Sequence, residues 1–251
     1  MLKDQKINIT QFTKYFERQI EKALKLKIDG EETPANIHKK IVYSAIIDSI
    51  SKCIYPKKQN REKITSFMST FTDWHEAERV SLPHLFQLLT KCPEPSFNRL
   101  RSFVTSKLTN WGEDDLKEIV PLTQDPKISE VRTYWPQEKE FKKPLNGVPI
   151  EYLQHSYLFY SYRNIMVHEF RYPGDGEEPA LEADEDPFYI SLLNVGNGKD
   201  ETWKLVYPVK FFEKSAKNGL KNVEKYLIEN NIDPYIPFTF GSYWIDELSK
   251  S

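Results

Sequence analysis

Residues 152–162 form a run of eleven without a single Asp, Glu, Lys or Arg, in a chain where 29% of residues are charged. This run constrains the fold most, because a stretch that carries no charge is one that can be covered on most sides. Extended to residues 150–171, it keeps helical spacing over about six turns. The sequence therefore predicts one long central helix, stopped by the turn at Pro173-Gly174.

Further helical patterns surround it. Phe12, Phe16, Ile20, Ala23 and Leu24 recur at helical spacing within 10–28, and Asp29-Gly30 stops them. In 36–54, Val42, Tyr43, Ile46, Ile47, Ile50 and Ile54 share one broad face, with Ser44, Ala45, Asp48 and Lys52 on the other. Patterns at 61–79, 81–91 and 95–110 are punctuated by Pro83, Pro93 and Pro95. A last helix follows Pro208, with Phe211, Phe212, Ala216, Leu220, Val223 and Leu227 in register, and stops near Asn230-Asn231. An aromatic tail follows, through Tyr235, Phe238, Phe240, Tyr243 and Trp244.

Two regions break the helical pattern. Residues 112–149 contain Pro121, Pro126, Pro136, Pro144 and Pro149 and read as an irregular connection. Residues 188–194 and 202–207 flank Gly196-Asn197-Gly198 and read as a β-hairpin. Between the central helix and the hairpin, residues 175–186 hold seven acidic residues in twelve and no basic one, which suits a solvated loop or an acidic lid over a basic cleft. The expectation is one mainly α domain over 1–251: an N-terminal helix (1–35), a helical part (36–111), the connection (112–149), the central helix (150–172), the acidic loop and hairpin insertion (173–207), and the last long helix with its tail (208–251).

Composition narrows the function classes. An apolar fraction of 39% suits a globular core, and a net charge of −2 argues against coating nucleic acid by bulk charge, while leaving room for a local basic cleft. No apolar run approaches the roughly 18 residues of a membrane span, and the first six residues lack a leader's apolar region, so a cytoplasmic protein without membrane contact is expected. Cys53 and Cys92 show neither disulfide nor zinc spacing and read as buried or inert thiols. Walker, GxGxxG, GxSxG and HExxH patterns are absent, so neither cofactor nor metal is expected.

The polar residues of the central helix are the chemical candidates. With Asn164 at zero on a helical wheel, His168 falls about 40° away and Arg171 about 20° to the other side, with Tyr157, Tyr160 and Ser161 within about 60°. Leu158, Phe159, Tyr162, Ile165, Met166 and Phe170 take the far side. Arg163 sits about 100° away at the flank, able to curl toward His168. Imidazole can take or return a proton near neutral pH. A planar guanidinium can hold a phosphate through paired hydrogen bonds. That set suits phosphodiester transfer driven by a ribose 2′-hydroxyl.

Arg163-Asn164-Ile165-Met166-Val167-His168 resembles the R-x(4–6)-H motif of HEPN ribonucleases, including the polar residue after the arginine. The resemblance covers mainly 36–79 and 150–229, and leaves the 112–149 connection, the acidic loop and the hairpin outside. It implies a HEPN-like helical bundle and a homodimer whose paired motifs form one cleft that cleaves RNA without metal. Arg163, Asn164 and His168 would be the catalytic set. Tyr157, Tyr160 and Arg171 would line the cleft, and Asp48 with Lys52 would add polar groups from an earlier helix. Some members act as toxins or in antiphage defence, which would bring an antitoxin or defence partner.

Plainer roles stand beside these. His168 could be a structural histidine, Arg163 could pair with Glu169, Arg171 could satisfy the helix end, and Asp48 and Lys52 could form a helix salt bridge. His155 reads as structural, and His38, His75 and His84 have no partner at ligand spacing. A HEPN-fold module that binds a nucleotide or a partner protein without cleaving is the rival function.

Overall fold

In a computed structural model the described residues are 3–31, 35–112, 119–137, 141, 143–173, 185–192 and 202–238. They form α1 (Lys3–Leu24), α2 (Asn36–Ile54), α3 (Asn60–Phe71), α4 (Leu82–Thr90), α5 (Asn98–Gly112), α6 (Ile128–Thr133), α7 (His155–Glu169) and α8 (Val209–Asn230). Three strands, β1 (Ile119–Pro121), β2 (Phe188–Leu192) and β3 (Thr202–Val206), make one antiparallel sheet. The protein is thus mainly helical with a small sheet. No helix among the described residues is long and apolar enough to cross a membrane. Contacts divide the chain into unit 1, Met1–Trp74 with Phe212–Ser251, and unit 2, His75–Phe211.

In unit 1, α1 buries Ile9, Phe12, Phe16, Ile20 and Ala23, a single stripe at helical spacing. Phe12 meets Tyr235 edge to face, with centroids 5.7 Å apart. α2 packs against both α1 and α3 and is covered on more than one face. This explains a departure from the expected pattern: Val42 is exposed while Ser44 and Ser51 are buried. Cys53 is also buried, and its thiol is pushed up to about 12 by burial, against the opposing pull of its own helix backbone. Cys92, in unit 2, is a second buried free thiol.

The pattern predicted over 61–79 stops at Phe71 instead. Asp73 takes a left-handed conformation with φ of 56°, and two side chains one turn apart on α8 satisfy the carbonyls released there. Asn222 Nδ2 donates to Phe71 O at 2.8 Å, and Asn218 Nδ2 to Thr72 O at 3.3 Å. Gly219 sits between them. A Cβ there would lie 2.7 Å from Phe67 Cζ, and Phe67 is fully buried.

Unit 2 is organised by backbone pairing between distant segments. Val80 bridges Gln154, and Ser81 N–H donates to Leu153 O. This pairing breaks the single helix expected over 150–171. A 3₁₀ turn spans Ile150–Leu153, Gln154 is extended, and α7 begins at His155. The first donors of α7 are met by Arg79 O, from His155 N–H, and Ala77 O, from Ser156 N–H. At its other end α7 stops at Glu169, because Phe170 is left-handed with φ of 53°.

A buried carboxylate ties these segments together. Asp125 Oδ1 accepts Leu82 N–H at 2.9 Å, capping α4, and Oδ2 accepts His155 Nε2 and the Tyr189 hydroxyl at 2.7 Å each. Asp125, His155 and Tyr189 are at most 1% exposed. The sheet adds β1 to the expected hairpin strands: Val120 pairs with Tyr189, which in turn pairs with Leu205. β1 comes from the connection expected to be irregular. Trp111 covers Tyr189 at 5.2 Å between ring centroids.

Gly219→Ala is expected to lower the unfolding free energy by about 1 kcal/mol. Overpacking against Phe67 costs about 1–3 kcal/mol and outweighs the ~1 kcal/mol that alanine gains in a helix. Urea denaturation of the two proteins checks this.

Candidate functional site

The sequence candidates on α7 are placed by its buried stripe. His155, Ser156, Phe159, Arg163 and Met166 are buried, recurring at intervals of one, three, four and three residues. Arg163 therefore belongs to the covered side, with only 4% exposure. The expectation that it curls from the flank toward His168 is replaced by another arrangement. Its Nη1 donates to Asn164 Oδ1 at 2.8 Å, and its guanidinium carbon lies 5.7 Å from the centre of the Tyr160 ring.

His168 is exposed and has no hydrogen-bond partner among the described residues. Asn164, one turn earlier, is half-buried. On the helix axis Arg163 and His168 point about 140° apart, so they do not converge within one α7. Asn164 links them, since its amide meets the guanidinium and its position shares the face of His168.

The remaining candidates separate. Tyr157 stacks on Tyr152, with centroids 5.1 Å apart and planes at 21°. Arg171 lies beyond the helix end, so its expected place on the wheel does not apply, and its guanidinium pairs with Glu169 at 2.6 Å. Both partners are about half exposed, so this pair contributes at most about 1 kcal/mol.

Asp48 and Lys52 lie on α2 in unit 1. They do not form the i,i+4 pair: Asp48 pairs with Lys63 of α3 at 2.7 Å, and the Lys52 ammonium sits 5.1 Å from the centre of the Phe238 ring. A cavity of about 310 Å³ in unit 1, lined by Tyr55, Phe71, Asn222, Lys225, Tyr226 and Glu229 among others, contains none of the motif residues. The expected acidic loop falls largely outside the described residues, as do Gly196-Asn197-Gly198, Phe240, Tyr243 and Trp244.

One cluster went unread in the sequence. Besides the Asp125 hub, Ser81 Oγ lies 2.7 Å from both His84 Nδ1 and the Tyr189 hydroxyl. His84 is exposed as a residue, while the Nδ1 edge of its ring is turned into the cluster. Desolvation first, and then the neighbouring His155, lower its pKa to about 4 against the opposing pull of Asp125. Tyr189 is held well above its ordinary value by burial and then by Asp125. The only local signal was Ser81-x-x-His84 at a helix start. Among the described residues no three His, Cys, Asp or Glu side chains gather as metal ligands.

Because His168 is exposed, His168→Ala is expected to change unfolding free energy by no more than about 0.5 kcal/mol. Arg163→Ala, which removes a buried hydrogen-bonded side chain, should cost about 1–3 kcal/mol. Parallel denaturation curves test both, and they also decide which variant gives an unconfounded reading of activity. No family model, no curated protein and no solved structure matches this chain.

Proposed function

We propose that α7 carries the centre of an endoribonuclease that acts where two copies of this chain meet. The observation that supports it is the join between Arg163 and Asn164. Through it a fixed positive charge borders the face on which His168 stands exposed. A second copy supplies what one helix lacks, since a single α7 splays its arginine and histidine apart.

In this reading the ribose 2′-hydroxyl attacks the adjacent phosphate. His168 of one copy takes the hydroxyl proton and, as the bond breaks, gives that proton to the departing 5′-oxygen. Arg163 and Asn164 of the other copy bond the phosphate oxygens as charge builds on them. The products are a 2′,3′-cyclic phosphate and a 5′-hydroxyl. Tyr157 and Tyr160 offer faces on which bases could stack. The resemblance to HEPN ribonucleases suggests a cytoplasmic toxin or antiphage effector restrained by an antitoxin or defence partner.

The burial of Arg163 favours a second reading, a HEPN-fold binding or assembly module. There its charge serves Asn164 and Tyr160 rather than a substrate.

Purified protein in excess chelator is expected to cleave RNA and leave cyclic-phosphate ends, with His168→Ala reducing the rate by about 100-fold or more. A folded His168→Ala protein that cuts as fast as wild type would sink the ribonuclease reading. Wild-type protein that leaves RNA intact would move the assignment to the binding module.

A further inference from the structure

The cluster around Asp125 has a property that its five hydrogen bonds impose jointly. A carboxylate only accepts, so the single proton of the Tyr189 hydroxyl goes to Asp125 Oδ2. Tyr189 must then accept from Ser81 at 2.7 Å, and Ser81, its own proton committed, must accept from His84 Nδ1 at 2.7 Å. The chain of donors runs His84 to Ser81 to Tyr189 to Asp125, with no alternative polarity while Asp125 is ionised. His155 Nε2–H and Leu82 N–H complete the carboxylate's bonds.

The same four side chains keep every bond if all their protons move one step. His84 protonated at Nε2 passes its Nδ1 proton to Ser81, Ser81 passes its own to Tyr189, and Tyr189 passes its own to Asp125. His84 is left neutral, with its proton on Nε2, and Asp125 becomes a carboxylic acid donating to Tyr189. One proton has entered and none has been lost. His84 is the one member exposed to solvent, whereas Ser81, Tyr189, Asp125 and His155 are at most 1% exposed.

We propose that His84, Ser81 and Tyr189 form a proton relay that delivers solvent protons to Asp125, making the hub an acid-sensitive latch on the start of α7. Protonation converts the two bonds from Leu82 and His155 from charge-assisted to neutral, about halving their strength. Those bonds hold the beginnings of α4 and α7. The relay lies within unit 2 and does not depend on any activity of α7.

The groups facing it from the packed elements do not supply the same proton. Arg79 donates to the Asp125 backbone carbonyl at 2.5 Å and, as a guanidinium, has no acceptor to offer the relay. Lys127, next to the 122–126 turn, is exposed. Tyr207 donates to His155 O at 3.2 Å and is held well above its ordinary value by burial and then Asp125.

The folded value of His84, about 4, lies below the ordinary 6.5, so folding favours the neutral ring. The stabilisation is complete above 6.5 and fades as pH falls toward 4.

Hydrogen exchange of the full chain reads the latch at the Leu82, His155 and Ser156 amides. Corrected for intrinsic rates, their protection is expected to fall roughly tenfold from about pH 7 to about pH 5 in wild type. In His84→Gln, which keeps an amide donor for Ser81 but no titrating group, protection at pH 7 should persist and the acid loss should vanish. An equal acid loss in His84→Gln, or none in wild type, overturns the relay. Nitrogen-15 NMR of the wild-type histidines gives a readout that needs no variant. At pH 7 the His84 proton should sit on Nδ1, and a proton on Nε2 alone would overturn the donor order.

Discussion

A carboxylate removed from water has to be met by donors on all sides, and Asp125 is such a group. Its partners come from the start of α4, the start of α7 and the second residue of β2. Three segments far apart in the chain are thereby held at one point. Loss of the carboxylate would strand a backbone N–H, an imidazole and a phenol in a dry interior, which is the expensive way to lose a hydrogen bond. The position of α7, and so of every candidate on it, depends on this junction.

Much of the helical layout was legible because it is local. The bounds of α2 match the expected 36–54, the last helix begins after Pro208, and β2 and β3 fall within the predicted hairpin strands. Each follows from a period, a proline or a glycine turn near at hand. Non-local features were not legible. The Asp125 contacts span 30, 43 and 64 residues, and β1 is a three-residue strand whose partner lies some seventy residues on. α3 ends early because of two asparagines on α8, and the 150–171 pattern is interrupted at Gln154 because strand-like pairing with 79–81 takes its backbone. Periodicity reports what a segment can do alone. It is silent about which backbone groups a distant segment will claim.

The candidate site shows the same division. The wheel placed Asn164 and His168 on one face, and their half-buried and exposed positions agree with that. It also left Arg163 a choice that only packing could make. The stripe through Phe159 and Met166 draws the arginine inward, where Asn164 and Tyr160 receive it. An arginine and a histidine turned apart on one helix do not make a site within one copy, which is why the proposed ribonuclease requires a second.

Subunit mixing tests that idea most directly. Arg163→Ala and His168→Ala proteins, each folded and each inactive on RNA alone, should regain cleavage when exchanged into mixed dimers, because one copy then supplies the arginine and the other the histidine. Mixed dimers that form but remain as inactive as their parents, beside an active wild type, would contradict a centre shared between two α7 helices.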